Sequence, residues 1–375
     1  MIPFNKPYLT GKEVEYLTEA VLSGKISGNG SFTKKCQSFF EKKYNLKKTL
    51  LTTSCTDALE MAAILIDIQQ GDEVIIPSYT FVSSANPFVL RGAKIVFADS
   101  QKDHPNIDAD NLENLISEKT KAIVPVHYAG VSCDMDKIME LANKYNLYVI
   151  EDAAQAVDSF YKGNPLGGIG HLGTFSFHET KNLNCGEGGL LIINDEQFIK
   201  RAEIIWEKGT NRVEFHRGEV KKYEWVDIGS SFLPSEVVAA FLYAQINNLD
   251  NIQKKRTWIW DKYNEELSFL YDKIELPNIP SYATNNGHLF YLVMNDSVQR
   301  KSFLNYMKNK GVLSVFHYQS LHKSPFYDTK HDKRVLINAD KYSNQLIRLP
   351  LFYELGENEI QYIISSIKDF FREFT

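Results

Sequence analysis

The feature that most constrains the fold is a regular alternation of short apolar runs and amphipathic helical stretches between about residues 48 and 195. The runs are nearly continuous in Val, Ile and Leu, which is typical of strands buried on both faces of a sheet. Strands that alternate with helices predict an α/β fold with a mostly parallel central sheet flanked by helices. The runs are KTLLTT (48–53), EVIIPS (73–78), AKIVFADS (93–100), TKAIVPVHYAG (120–130), LYVIEDAA (147–154), GTFSFHE (173–179) and GGLLIIND (188–195).

Two changes of pattern refine this prediction. The last two runs lie too close together for a crossover helix, so we expect them to pair antiparallel. After about residue 245 the chain reads as a long charged helix (about 247–270), short apolar runs and a final amphipathic helix (357–373). We therefore predict a large domain over 1–245 and a smaller α+β domain over 246–375, with about residues 1–15 packing with the smaller one.

Composition excludes several classes of protein. Apolar residues make up 43% of the chain and charged residues 24%, as in soluble globular proteins. A net charge of −5 without a dense basic run gives no support for a nucleic-acid partner. We find neither a signal peptide nor an apolar run near the roughly 20 residues that cross a bilayer. The four cysteines have no CxxC or metal-like spacing, so we expect no disulfide framework and no metal site, and a cytoplasmic location.

Lys181 lies in TFSFHETKNLNCGEGG (174–189), between an aromatic-rich strand and a glycine-rich turn. One interpretation is an ordinary surface loop, because lysine is almost never buried without a partner. The other is a Schiff-base lysine, whose amine reacts with a carbonyl once its surroundings lower its pKa. The residues at the ends of the other apolar runs bear on this choice, because ligands of open α/β sheets bind beyond the carboxyl ends of the strands.

Asp152 ends the run LYVIED and needs a charged or hydrogen-bonded partner there. It is a candidate helix N-cap, or the carboxylate that keeps the pyridine nitrogen of pyridoxal phosphate protonated. The segment Ser54-Cys55-Thr56-Asp57 is either an ordinary helix cap or a phosphate site at a helix N-terminus. Ser176 could offer a hydroxyl to the same phosphate, and Phe81 is either a core aromatic or one that stacks on a pyridine ring.

Several motifs occur together in one order along nearly the whole chain. They are LTTSCTDALEMA (51–62), PSYTFVSSAN (77–86), PVHYAGVSCDMD (125–136), VIEDAAQAV (149–157), GTFSFHETKN (173–182), GEGG (186–189) and FHYQSLH (316–322). The set resembles the DegT/DnrJ/EryC1/StrS family of sugar aminotransferases, which are pyridoxal phosphate enzymes of fold type I. SFHETKN, EKGTNR (207–212) and DIGSSFL (227–233) resemble the members that aminate C4 of TDP-4-oxo-6-deoxyglucose.

The resemblance implies roles for individual residues. Lys181 would bind the cofactor covalently and then move the proton, while Asp152 would face the pyridine nitrogen. Gln155 would hydrogen-bond the phenolic oxygen of the cofactor, and Phe81 would stack on its ring. The phosphate would be bound by Cys55, Thr56 and Ser176.

Three further assignments come from the resemblance alone. Ser231 occupies the place of an asparagine that the family brings to the phosphate from the partner subunit, and a serine reaches less far. His322 matches a family histidine at the subunit interface, where it either contacts substrate or only bonds across the interface. Arg212 is a candidate for the diphosphate of a sugar nucleotide, or a surface residue.

The function implied is amino transfer from L-glutamate to a nucleotide-linked keto-sugar by a homodimer with shared active sites. Other sugars remain open, with the ketone at C3 or a gluco product. The family's sugar 3-dehydratases replace this lysine with histidine, so Lys181 argues against dehydration. A catalytically silent nucleotide-sugar binding protein is disfavoured by the intact set of candidate residues. A dinucleotide-binding dehydrogenase is disfavoured because GGIGHLG follows no clear strand and opens no helix.

Overall fold

The computed structural model describes residues 1–373 of the chain. Its strands are short, and the seven that form the central sheet coincide with the apolar runs of the sequence. They are β1 (Lys48–Thr52), β2 (Glu73–Pro77), β3 (Lys94–Ala98), β4 (Thr120–Ile123), β5 (Tyr148–Asp152), β6 (Phe160–Tyr161), β7 (Asn164–Pro165), β8 (Leu172–Ser176), β9 (Gly189–Ile193), β10 (Phe290–Val293) and β11 (Leu346–Leu349).

The C-terminal third of the chain contains far more helical than strand residues. The helices are α1 (Glu13–Leu22), α2 (Ser31–Tyr44), α3 (Cys55–Leu65), α4 (Asn86–Leu90), α5 (Met135–Tyr145), α6 (Ile199–Trp206), α7 (Arg212–Arg217), α8 (Glu236–Ile246), α9 (Leu249–Glu266), α10 (Ser297–Asn309), α11 (Ile337–Gln345) and α12 (Glu357–Glu373). Within the described residues, no helix combines the length and the apolar character that crossing a membrane requires.

Among residues 1–373, the central sheet has seven strands in the order β1-β9-β8-β5-β4-β2-β3. Neighbouring strands pair in parallel, except that β9 is antiparallel to both β1 and β8. The predicted α/β fold with a mostly parallel sheet is therefore confirmed, and so is the antiparallel pairing of its last two runs. Because β9 runs back from the edge where β8 ends, the connection that carries Lys181 lies at the carboxyl edge of the sheet.

Both faces of the sheet are buried. In β2, Val74 and Ile76 belong to one hydrophobic cluster and Ile75 to another, as expected when successive side chains point to opposite faces. Helices α3, α4 and α6 cover the first face, and α2, α5 and α8 cover the second. Buried faces leave the carboxyl edge as the place where polar side chains can meet a ligand.

A third hydrophobic cluster joins α9, α10 and α12 to the two-stranded sheet of β10 and β11. The N-terminal segment reaches this region, where the backbone N–H of Ile2 donates to the carbonyl of Gly311 at 2.8 Å. The backbone N–H of Leu313 donates back to the carbonyl of Ile2 at 3.0 Å. The boundary at 245/246 falls at the end of α8 and, with the division into two domains, stays a prediction.

Candidate active site

A cavity of about 620 Å³ opens at the carboxyl edge of the sheet, where the loops after β1, β2, β5 and β8 converge. The opposite side is closed by residues 288–289 just before β10, residues 317–318 between α10 and α11, and residues 348–349 on β11. Most of the candidate site residues predicted from the sequence line this one cavity. They are Cys55, Thr56, Phe81, Asp152, Gln155, Ser176 and Lys181.

Lys181 is half-buried in the wall of this cavity, in the connection between β8 and β9. Its backbone N–H donates to the carbonyl of His178 at 2.9 Å, which tightens the turn. Burial lowers the pKa of the Lys181 amine, Arg348 adds to this effect, and Cys55 and Asp152 oppose it. A lowered pKa increases the fraction of neutral amine, which is the form that acts as a nucleophile or a base.

Asp152 is the last residue of β5 and is 5% exposed. Its Oδ2 accepts a hydrogen bond from Ser84 Oγ at 2.6 Å, and its Oδ1 accepts from the backbone N–H of Ala154 at 3.2 Å. Because Ser84 gives its only proton to Asp152, Thr80 Oγ1 must be the donor in the 2.8 Å bond between Thr80 and Ser84. This chain of donors fixes the carboxylate in one orientation toward the cavity.

The N-terminus of α3 also faces the cavity. Ser54 is its N-cap, and Ser54 Oγ accepts from the backbone N–H of Asp57 at 3.0 Å. The remaining first-turn amides and the hydroxyl of Thr56 lie where an anion would meet them. Burial, with Asp152 nearby, raises the pKa of Cys55 to about 12, so its thiol is protonated at neutral pH.

Gly189, the first residue of β9, allows the chain to pass directly behind this helix end. A Cβ at Gly189 would come within 2.4 Å of the backbone nitrogen of Cys55 and within 2.3 Å of the carbonyl carbon of Ser54. A larger residue there would displace the N-terminus of α3. The GEGG motif therefore shapes the anion site as well as the turn after Lys181.

Gln155 and Phe81 complete the side of the cavity that the central sheet supplies. Gln155 Oε1 accepts from the backbone N–H of Ala129 at 2.7 Å, and its Nε2 donates to the hydroxyl of Tyr318 at 3.1 Å. Phe81 is 53% exposed, and its ring lies 5.9 Å from that of Tyr318. Ser176, at the end of β8, is buried and accepts from the backbone N–H of His178 at 3.4 Å. We call this side the sheet-edge wall; it comprises Ser54, Cys55, Thr56, Phe81, Asp152, Gln155, Ser176 and Lys181.

The opposite side, which we call the C-terminal wall, consists of His288, His317, Tyr318 and Arg348. None of these was selected as a site residue from the sequence, although His317 and Tyr318 lie in the FHYQSLH motif that carried the resemblance. Arg348 lies inside the apolar strand pattern IRLPLF. The pattern predicts that its neighbours belong to the core, but it does not indicate that the arginine lines a binding site. The backbone N–H of Arg348 donates to the carbonyl of Val315 at 2.7 Å, which joins two segments of this wall.

Charge on the C-terminal wall is poorly compensated. Among residues 1–373, no partner accepts a hydrogen bond from the buried Nε of Arg348, and none reaches Nδ1 of His317. The ring of Phe4 lies 4.5 Å from the guanidinium carbon of Arg348. Burial lowers the pKa values of Arg348 and His317, and it raises that of the Tyr318 hydroxyl. His317 and Tyr318 are therefore neutral, and Arg348 is the cation of this wall.

Three predicted residues lie away from the cavity lining within the described chain. Ser231 is exposed and forms an isolated backbone bridge with Glu207. Arg212, also exposed, begins α7 and has its Nη1 3.8 Å from Glu207 Oε2. His322 is buried, with its Nδ1 2.7 Å from Ser78 Oγ and its Nε2 3.6 Å from Asp340 Oδ1. Their roles toward cofactor and substrate stay predictions.

The residues of the sheet-edge wall fit pyridoxal phosphate. Amides and hydroxyls at the start of α3 suit the phosphate, and the oriented carboxylate of Asp152 suits a protonated pyridine nitrogen. Lys181, with its lowered pKa, supplies the amine. On a mostly parallel sheet flanked by helices, this arrangement is that of a pyridoxal phosphate-dependent aminotransferase of fold type I.

Comparison with known proteins identifies the family within that class. The model of the DegT/DnrJ/EryC1/StrS aminotransferase family matches residues 7–368, and the chain belongs to this family. GDP-perosamine synthase of Escherichia coli O157:H7 is 31% identical over 99% of this chain and 99% of its own length. The spore coat polysaccharide biosynthesis protein SpsC of Bacillus subtilis is 31% identical, covering 98% of this chain and 96% of its own.

A solved structure gives the same answer for fold and cofactor. The putative sugar aminotransferase Spr1654 of Streptococcus pneumoniae, in its PMP form, superposes with a TM-score of 0.90 and 26% identity over 100% of both chains. Its PLP form superposes with a TM-score of 0.89 and 27% identity over 99% of both chains. The protein is therefore a pyridoxal phosphate-dependent sugar aminotransferase, an enzyme that takes an amino donor and a keto-sugar.

Proposed function

We propose that the enzyme transfers the amino group of L-glutamate to the C4 ketone of TDP-4-oxo-6-deoxy-D-glucose, giving TDP-4-amino-4,6-dideoxy-D-galactose for a bacterial surface polysaccharide. The observation that carries the catalytic part is the convergence of Lys181, Asp152 and the N-terminus of α3 on one cavity. The choice of sugar rests on the subgroup motifs SFHETKN, EKGTNR and DIGSSFL.

The cofactor, when bound, supplies the electron sink that makes the donor's α-hydrogen acidic. Asp152 would hold the pyridine nitrogen protonated, since Ser84 and Ala154 already orient its carboxylate. Gln155 would direct its Nε2 to the phenolic oxygen, sharing it with the hydroxyl of Tyr318. Phe81 would cover one face of the ring.

Phosphate binding would use the start of α3 and the end of β8. The backbone amides of Cys55 and Thr56, with the hydroxyls of Thr56 and Ser176, would surround the phosphate. Because the thiol of Cys55 is protonated, this residue would contribute its amide and not a thiolate.

Lys181 would serve both half-reactions by moving one proton at a time. In the first half-reaction it would take the α-proton of glutamate as the neutral amine. As the ammonium it would then deliver a proton to the cofactor carbon that receives the amino group. In the second half-reaction it would take a proton from the aminated carbon of the cofactor and deliver it to C4 of the sugar, and the face of delivery would set the galacto configuration.

Arg348 would bind a carboxylate of the donor. Its guanidinium lines the cavity beside Lys181, and its buried Nε has no partner within residues 1–373. An unpaired buried cation costs free energy that an anionic ligand recovers. L-glutamate, with two carboxylates, suits this position.

We also propose a homodimer in which Ser231 and Arg212 reach the cavity of the partner subunit. Trp225 is 81% exposed and Ile228 is 42% exposed, in the segment that leads to Ser231. Large apolar side chains exposed together favour an interface. In a dimer, His322 would stand near that interface.

The experiment begins with the visible absorption spectrum of the purified enzyme loaded with pyridoxal phosphate. L-Glutamate should abolish the visible band, and TDP-4-oxo-6-deoxyglucose should restore it. NMR of the product would then establish amination at C4 and the galacto configuration. Because one relative is named GDP-perosamine synthase, the alternative acceptor is a GDP-linked keto-sugar. Return of the band only with that substrate would replace the TDP assignment. A protein with no visible band after loading would lose the catalytic roles proposed for its residues.

A further inference from the structure

His288 lies on the C-terminal wall, two residues before β10. His288 is 7% exposed, and its Nδ1 is 2.8 Å from Oδ1 of Asn182. Asn182 directly follows Lys181 in the chain, so this contact joins the C-terminal wall to the lysine segment.

The surroundings of Asn182 fix which ring nitrogen of His288 carries hydrogen. Asn182 Nδ2 donates to Gln253 Oε1 at 2.8 Å and to the carbonyl of Asn286 at 2.9 Å. Both amide protons are thereby used, so the amide oxygen must face His288 and accept from it. The hydrogen is on Nδ1, and Nε2 of the neutral ring keeps its lone pair.

The ring stays neutral because it is buried and has positively charged neighbours. Burial is the main cause that lowers the pKa of His288 well below its usual range, followed by the positive charges of Lys181, Arg256 and Arg348, and by His317. An imidazole in this environment presents an acceptor at neutral pH and not a second cation.

The backbone holds His288 in place independently of its ring. Its N–H donates to Oδ1 of Asn286 at 3.0 Å, and its carbonyl accepts from Nη2 of Arg256 at 2.7 Å. No described residue donates a hydrogen bond to Nε2. The structure therefore holds a rigid ring with an unused acceptor in a cavity that also contains the amine of Lys181.

We propose that His288 is a positioning residue for Lys181: Nε2 accepts a hydrogen bond from the ε-ammonium that Lys181 becomes when it removes the α-proton of the amino donor. This inference rests on the proposed role of Lys181 as the base. The proton passes from the donor's α-carbon to Nζ of Lys181, and His288 accepts only a hydrogen bond.

The physical reason lies in the charge of the cavity. The ammonium of Lys181 forms close to the guanidinium of Arg348, which disfavours a second positive charge. A neutral acceptor offsets part of this cost. It would also hold Nζ between the donor's α-carbon, which loses the proton, and the cofactor carbon that receives it. A histidine suits this role because Asn182 holds the hydrogen on Nδ1 and leaves Nε2 as an acceptor in the cavity that Lys181 also lines.

The test measures the single-turnover rate of the pyridoxal phosphate-loaded enzyme with L-glutamate and with α-deuterated L-glutamate. His288→Gln places an amide oxygen near the position of Nε2, whereas His288→Asn places its amide near Nδ1 and withdraws the acceptor. We expect His288→Asn to slow the reaction by about 10- to 100-fold, the worth of a hydrogen bond to a charged group. The deuterium isotope effect should rise in that variant because proton transfer becomes slower than binding, and His288→Gln should recover most of the rate.

The matched control is His104→Phe, which removes another buried histidine that lies outside the cavity lining. This variant should keep the wild-type rate and isotope effect. Equal losses in the Gln and Asn variants without a larger isotope effect would overturn the proposal, because they would indicate packing against Asn182. Normal rates with L-glutamate but slow reaction with the keto-sugar would also overturn it, since Nε2 would then serve a sugar hydroxyl.

These outcomes are separable from failure of the proposed function. The rates and isotope effects that decide the role of His288 are measured with L-glutamate, so an error in the sugar or its nucleotide leaves them unchanged. If the wild-type enzyme itself fails to react with L-glutamate, the donor assignment falls first, and this inference falls with it.

Discussion

The sheet-edge wall and the C-terminal wall face the same cavity, but they differ in whether their polar groups already have hydrogen-bond partners. On the first, Asp152 already receives hydrogen bonds from Ser84 and Ala154. On the second, the buried nitrogens Nε of Arg348 and Nδ1 of His317 have no partner within residues 1–373. Buried polar groups are usually paired, so unpaired ones beside a cavity indicate where a ligand completes the structure.

This difference separates two kinds of effect. The sheet-edge wall is organised before any substrate arrives, so changes there should affect cofactor chemistry and the rate of turnover. On the C-terminal wall, Nε of Arg348 lacks a partner until substrate binds, so changing Arg348 should affect mainly the substrate concentration that the enzyme requires. The variants below test this separation, from the largest expected effect to the smallest.

Lys181→Ala should abolish turnover, with a fall of about 1,000-fold or more, because no other neutral amine faces the cofactor site in the described chain. Pyridoxal phosphate should still bind without a covalent bond, since the start of α3 and Asp152 are unchanged. Single-turnover spectra with L-glutamate and equilibrium dialysis of the cofactor measure the two effects. Undiminished turnover would end the assignment of Lys181.

Asp152→Asn should retain the cofactor and lower the rate with L-glutamate by about 100-fold or more, because the amide cannot keep the pyridine nitrogen protonated. Ser84→Ala is the graded control: it removes one of the two observed donors and leaves Ala154 in place. Its loss should be about tenfold or less. Wild-type rates in Asp152→Asn would mean that another group holds the pyridine nitrogen.

The same two walls show what the sequence could predict. Asp152, Ser176 and the start of α3 each follow an apolar run directly, so one rule, that ligands bind beyond the carboxyl ends of strands, brings them together. Lys181 belongs to this group because β9 turns back at the same edge. Local pattern and sheet topology were therefore enough to place these residues at one edge, whereas Gln155 was selected only from the resemblance.

The residues of the C-terminal wall were not predicted from the sequence because only tertiary packing brings them together. His288 precedes one strand of the small sheet and Arg348 lies on the other, β11, so neither ends an apolar run at the edge of the central sheet. Arg348 interrupts an apolar pattern, and only the folded chain shows that it faces a cavity. The roles of Ser231 and Arg212 were inferred from the resemblance, and that of Ser231 needs a second subunit to be tested.

Arg348→Met should raise the L-glutamate concentration required for half-maximal rate by about 10- to 100-fold, the worth of a hydrogen bond between charged groups. The maximal rate and the affinity for pyridoxal phosphate should change little, because the sheet-edge wall is intact. Arg348→Lys keeps the charge but not the paired N–H groups and should fall between the two. Titration of the half-reaction with L-glutamate measures all three enzymes, and a lower maximal rate with unchanged affinity would contradict the contrast drawn between Arg348 and the sheet-edge wall.

Cys55→Ser should have the smallest effect, with less than about a threefold change in the affinity for pyridoxal phosphate. Burial raises the pKa of the Cys55 thiol to about 12, so this acid stays protonated at neutral pH and contributes no negative charge near the phosphate. Serine preserves the neutral side chain and the backbone amide at the start of α3, which is the group that we expect to contact the anion. Thr56→Val, which removes a hydroxyl from the same helical turn, should weaken cofactor binding more. Fluorescence titration of the apoenzyme at about pH 7 and pH 9 compares the variants, and an ionisation that appears in the wild type but not in Cys55→Ser would show that the thiol titrates after all.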